Sequence, residues 1–180
     1  PDHETFIQFV QEKSKPELMK ELHLSESMGA DLDPVHVQEF QYLTTEVVHL
    51  YALRKNHEAY LRVVMQKYCP NLLELAGPTI GAKLIELAKG LRRLAELPSS
   101  TVQLLGAEKA LFRHLKTGSK SPKYGIIISH PFIQNAPRDK KGKAARLLAD
   151  KLSFCARLDY FKGEFKAPQY QKELAGVFST

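Results

Sequence analysis

Tryptophan is absent from this 180-residue chain, and cysteine occurs only twice, at Cys69 and Cys155. The two thiols lack metal-ligand spacing and form no disulfide framework, so both read as buried thiols of a chain kept reduced. No apolar run approaches the roughly 20 residues that a membrane span needs. No signal peptide is visible, although a chain that starts at Pro1 without Met gives that absence little weight. Alternating strand patterns are nearly missing, which points to an all-α fold.

Catalytic patterns are missing as well. Gly77-Pro-Thr-Ile-Gly81-Ala-Lys83 sets its glycines four apart, where a phosphate-binding loop needs five. It follows no strand and has no Ser or Thr after the lysine to hold magnesium. The seven histidines are scattered, and none joins Cys, Asp or Glu at a metal-ligand spacing. Ser129-His130 has no third member for a nucleophilic triad. The chain therefore lacks the parts of an enzyme, and no cofactor or metal is expected.

What is present is helical periodicity. Pro34 to Tyr68 reads as one long helix with Asp33 as its N-cap and Pro34 in its first turn. His36, Phe40, Leu43, Val47, Leu50, Arg54, His57, Leu61, Val64 and Tyr68 follow an unbroken 4-3-4-3 spacing, the seam of a coiled coil. A single amphipathic helix packed within its own bundle is the plainer alternative. Residues 3–23 predict a shorter helix or helix pair broken near Pro16, which could pair with the long helix through a turn at 25–33. Further helices are expected at Pro78–Glu96, at Thr101–Leu105 behind a Ser cap, at Glu108–Leu115, at about Lys140–Tyr160 and at 168–178. Leu111 and Leu115 should fall on the face of the third of these that lies opposite Lys109, Arg113 and Lys116. Ala144, Leu147, Leu148, Leu152, Cys155 and Leu158 should face inward on the fourth. Ile126-Ile127-Ile128 fits either a brief strand or a buried turn.

Charge is distributed unevenly. Residues 1–68 hold seven basic and eleven acidic side chains. From Lys109 to Lys151 there are eleven Lys and Arg against only Asp139 and Asp150, a net +9 in a chain whose total is +6. Lys109, Arg113 and Lys116 share one helical face, and Lys120 and Lys123 follow in the next loop. Arg138, Lys140, Lys141, Lys143 and Arg146 form a second cluster at the start of a helix. Lysines there sit against the positive end of the helix dipole, which an anion would relieve. His130, Gln134 and Asn135 lie between the clusters and supply ring and amide groups suited to RNA bases. These thirteen residues are the candidate RNA-binding set, and a polyanion is the expected partner. A core role for Phe132 and turn-capping roles for the amides are the plainer readings.

At this point a resemblance can be stated. SSTVQLLGAEKALFRHLKTGSKSPKYG, from Ser99 to Gly125, resembles the signature of the Nop domain family. NLLELAGPTIGAKLIELAKGLRRLAELP (71–98), GKAARLLADKL (142–152) and ARLDYF (156–161) are similar to that family's opening and closing helices. The resemblance is greatest to archaeal box C/D ribonucleoprotein scaffold proteins. It extends to the eukaryotic nucleolar pair that serves box C/D RNAs and, more distantly, to a splicing factor. It implies a helical coiled-coil arm (1–68) that dimerises two copies, followed by an all-helical Nop domain (69–180). It also implies a box C/D guide RNA recognised together with a small kink-turn-binding protein, and fibrillarin as the methyltransferase partner for RNA 2′-O-methylation. The location would be cytoplasmic in an archaeon and nucleolar in a eukaryote. Two other readings remain open: a spliceosomal-type assembly factor, and a protein-only coiled-coil interaction module.

Overall fold

The computed structural model describes residues 3–177, and among these it is helical with no strand. The chain divides into two compact units at Ala59/Tyr60, and one helix runs through the boundary.

The first unit holds α1 (His3–Glu12), α2 (Lys15–Glu21) and most of α3 (Pro34–Tyr68). Asp33 and Pro34 start α3 as expected, with the Asp33 carboxylate accepting from Val35 N at 3.1 Å. The break between α1 and α2 falls at Lys13-Ser14 rather than at Pro16. Ser14 caps α2 through a reciprocal box with Glu17, and Pro16 fits harmlessly into that helix's first turn. Glu4 pairs with Lys55, and Gln11 donates to Thr45 at 3.4 Å, so α1 runs antiparallel to α3. Lys15 holds the connecting loop through Gly29 O at 2.7 Å and Asp31 at 2.6 Å. No side chain of α1 or α2 is buried, and the seam residues Phe40, Leu43 and Leu50 are exposed.

The second unit has a true core. Leu61 and Met65 from the end of α3 enter it. They are joined by α4 (Pro70–Ala88), α5 (Leu91–Glu96), α6 (Ser99–Leu104), α7 (Glu108–Thr117), a 3-10 turn (Ile126–Ser129), α8 (Pro131–Gln134), α9 (Lys141–Tyr160) and α10 (Ala167–Gly176). α9 is the central strut, against which α4, α5, α6, α8 and α10 all pack. Its buried face carries Ala144, Ala145, Ala149 and Ala156 among Leu148, Leu152 and Cys155. Small residues let several neighbours approach one helix closely while the leucines fill the gaps. Leu147 and Leu158, expected inside, are only half-buried.

Several boundaries differ from expectation for local reasons. The helix expected from Pro78 begins at Pro70 and passes Pro78 through a kink at Gly77, whose φ of +76° is open to glycine at little cost. Pro78 has no N–H to offer the Glu74 carbonyl. Gln171 Nε2 donates to it instead at 2.7 Å, and His130 Nε2 bonds the next carbonyl, Leu75 O, at 2.9 Å. The helix then stops at Lys89, in the left-handed region, so α4 and α5 are separate. The cap of α6 is Pro98, with no serine side chain engaged. The Ile126–Ser129 run is a 3-10 turn rather than a strand, with Ile127 fully buried.

One buried polar node ties the unit's ends together. The Asp159 carboxylate accepts from Asn71 N (3.0 Å), Asn71 Nδ2 (2.9 Å) and Leu72 N (2.8 Å). It thereby caps the N-terminus of α4, where Cys69 has no capping side chain. Asn71 Oδ1 in turn accepts from Lys166 N at 2.7 Å and Ala167 N at 3.1 Å, capping α10.

Candidate nucleic-acid interface

α7 is amphipathic in sequence yet buries none of its residues. Lys109, Arg113 and Lys116 are exposed on it. Leu115, on the face away from these cations, is 70% exposed, and Phe112 is 63% exposed. α7 therefore presents its cations from a helix that stands off the core. Its ends are well fixed: Glu108 accepts from Gly106 N at 2.7 Å, and the His114 ring bonds the Ser119 carbonyl beyond the Gly118 cap.

The loop carrying Lys120 and Lys123 is anchored at its base. Gly125 N donates to Gln103 O and Ile126 N to Leu105 O, each at 2.8 Å, and Gln103 Nε2 donates to Lys123 O at 2.5 Å. A side chain at Gly125 would run into the Leu105 carbonyl oxygen, so the close crossing requires glycine there. This clamp delivers Lys123 to the start of α9, where its Cδ would lie 3.7 Å from a Cβ built on Gly142. Lys123 of the loop thus joins the α9 cluster at Gly142.

At that end of α9, Lys140 is the N-cap residue and Lys141 and Lys143 occupy the first turn, with no acid there and no side chain capping the N–H groups. Arg138, Lys140, Lys143 and Arg146 are exposed, and Lys141 is half-exposed. Among the described residues none of the ten candidate cations enters an ion pair, whereas Lys13, Lys15, Arg54, Lys55, Lys83, Arg92, Lys151 and Lys166 all do. A purely solubilising surface intersperses both signs. This one leaves its cations without counter-charges at a positive helix end, a setting that attracts phosphate.

Gln134 and Asn135 are exposed at the end of α8, which packs on α9 and leads directly into the Arg138–Lys141 turn. His130 is placed differently. Its ring caps α8 by accepting from Phe132 N at 3.2 Å, and Nε2 faces Leu75 O at 2.9 Å. With both nitrogens engaged the ring is neutral, and burial pushes its pKa below the ordinary imidazole value. The ring lines a shallow cleft of about 380 Å³ with Gly77, Phe132 and Leu174. What His130 offers a ligand is an imidazole surface, not a charge. The Gln103 tether and the Gly125 crossing position the loop without any charge or motif to mark them in sequence.

No helix among the described residues is long and apolar enough to cross a membrane, and no group of His, Cys, Asp and Glu there could hold a metal.

Residues 2–176 match the family described as "Nop: snoRNA binding domain, fibrillarin". The chain is 46% identical over 148 residues to an uncharacterized NOP5 family protein of Methanocaldococcus jannaschii, covering 82% of this chain and 36% of that protein. It is 44% identical over 135 residues to human nucleolar protein 56, covering 75% and 23% respectively. It therefore spans about a third or less of the length of these relatives. Among solved structures, a crystal structure of a fibrillarin/Nop5p complex matches 97% of this chain and 64% of the other, with a TM-score of 0.58 and 32% identity. The chain belongs to the Nop family.

Proposed function

We propose that this chain is a non-catalytic scaffold of a box C/D ribonucleoprotein. Its second unit binds guide RNA together with a small kink-turn-binding protein. The assembly supports RNA 2′-O-methylation by fibrillarin. The observation that carries this reading is the junction at Gly142. There Lys123 of the loop meets the uncapped, lysine-bearing start of α9, and among the described residues no acid pairs these cations. Membership of a family described by snoRNA binding, and likeness to a protein solved with fibrillarin, support the choice of RNA and enzyme partner.

The arm, proposed to span 1–68, self-associates with a second copy through the α3 seam, where exposed Phe40, Leu43 and Leu50 await a facing helix. The Nop domain is proposed to be residues 69–180. Such a protein works in the nucleolus of a eukaryote or the cytoplasm of an archaeon. Gel-shift titration of a box C/D kink-turn RNA, with and without the kink-turn-binding protein, tests the proposal. A supershift seen only with that protein present is expected. Equal binding without it would reduce the surface to a generic basic binder, and no binding at all would favour a protein-only interaction module.

A further inference from the structure

α9 does more than present lysines at its start. Lys143, Arg146, Asp150, Phe154 and Arg157 follow steps of three and four residues and so lie in one stripe along the helix, which the C-cap residue Phe161 continues at its end. The buried positions that pack on α4, α5 and α6 are other residues, every stripe residue is exposed or half-exposed, and Arg157 alone of the stripe is tied back to α5. At 1.5 Å per residue, Lys143 to Phe161 spans about 27 Å. One end lies in the cation cluster described above, and the other ends in open aromatic rings: Phe154 is 42% exposed and Phe161 72%. The Arg157 guanidinium lies over the Phe154 ring at 5.6 Å and is fixed by Nε donating to Ala95 O at 3.1 Å. Tyr160 meets Phe161 edge-on with centroids 5.0 Å apart, steadying that ring.

We propose that this stripe is a track for single-stranded RNA leaving the structured element held at the start of α9, with bases stacking at Phe154 and Phe161; this rests on the RNA-binding reading above. Three observations select RNA. The stripe is continuous with the proposed phosphate-binding cluster. Its cations, Lys143, Arg146 and Arg157, enter no ion pair among the described residues and outnumber its one acid, Asp150. Charges and rings also share the same line, which suits a strand offering phosphates and bases, whereas the centre of a protein interface is depleted of charge.

The test uses the full chain with the kink-turn-binding protein and a kink-turn RNA. The RNA is compared with versions bearing an unpaired tail of about eight uridines at either end. For the wild-type chain, one tail is expected to raise affinity about tenfold or more, from two stacked bases at several-fold each. The F154A/F161A double variant should lose that gain while binding tail-less RNA normally, and F154Y/F161Y should restore it. An equal gain in the double alanine variant, or no gain from either tail in the wild type, overturns the proposal. So does unchanged RNA binding accompanied by loss of a protein from the assembly. If tail-less RNA is not bound but free oligouridine binds in a ring-dependent way, the kink-turn reading fails while the track stands.

Discussion

Replacing Asp159 with alanine should unsettle the second unit more than any single surface change. The carboxylate serves three donors at 2.8–3.0 Å, two of them N-terminal N–H groups of α4. Losing a cap costs about 1–2 kcal/mol, and each buried donor left unpaired adds about 1–3 kcal/mol. Relief of the carboxylate's desolvation offsets part of this. A net loss of about 3–4 kcal/mol is expected, a large share of the stability of a small domain. Asn71→Ala should cost a similar amount, because it also uncaps α10. Since each residue is the other's partner, the double variant should fall short of the sum by about 1–2 kcal/mol. Urea unfolding followed by far-ultraviolet circular dichroism measures all three. A loss below about 1 kcal/mol for Asp159→Ala, or strict additivity, would refute the node's role.

The same residue gives a pH signature. Burial raises the Asp159 carboxyl above the ordinary carboxylate range, with its three donors pulling the other way. The folded state then holds this proton more tightly than the unfolded state. Its contribution to stability is full below the ordinary carboxylate pKa and is lost as pH rises through the raised value. Measured against Asp159→Asn, which cannot ionise, the wild type should lose relative stability across that acidic window. A difference independent of pH would contradict this.

Three further outcomes follow from particular contacts. Gly125→Ala should destabilise by about 1–3 kcal/mol in thermal or urea unfolding, because the added Cβ meets backbone that cannot yield cheaply. Cys69 and Cys155, pushed up by burial to about 11 and about 12, should resist thiol reagents until the chain unfolds, so labelling rates should track urea concentration. Replacing Lys140, Lys141 and Lys143 by Glu should abolish assembly on RNA while leaving the circular dichroism spectrum and melting midpoint nearly unchanged, since these side chains lie outside the core.

How much of this was legible in the sequence depended on the range of each interaction. α3 could be read end to end because Asp33-Pro34 and Pro70 punctuate it locally. α4 could not, because Pro78 looks like a helix start until Gly77 turns out to carry the chain through a kink that His130 and Gln171 complete from elsewhere. The clustered lysines were visible as composition, and the structure adds the approach of Lys123 to the start of α9 at Gly142. The openness of Leu115 was not legible, because amphipathicity shows that a helix has an apolar side, not that the chain itself covers it. The Asn71–Asp159 node was invisible, since its members lie 88 residues apart and neither belongs to a local pattern. The open rings of Phe154 and Phe161 were not legible, because the periodicity of α9 marks its buried face and not what its open face carries.

The most direct measurement of the central claim is the salt dependence of affinity for the assembled RNA. Six to eight phosphate contacts, drawn from the ten candidate cations, should cost about a thousandfold or more in affinity between about 50 and 200 mM salt. That slope should flatten when Lys140, Lys141 and Lys143 are neutralised. An affinity that barely responds to salt would contradict the account.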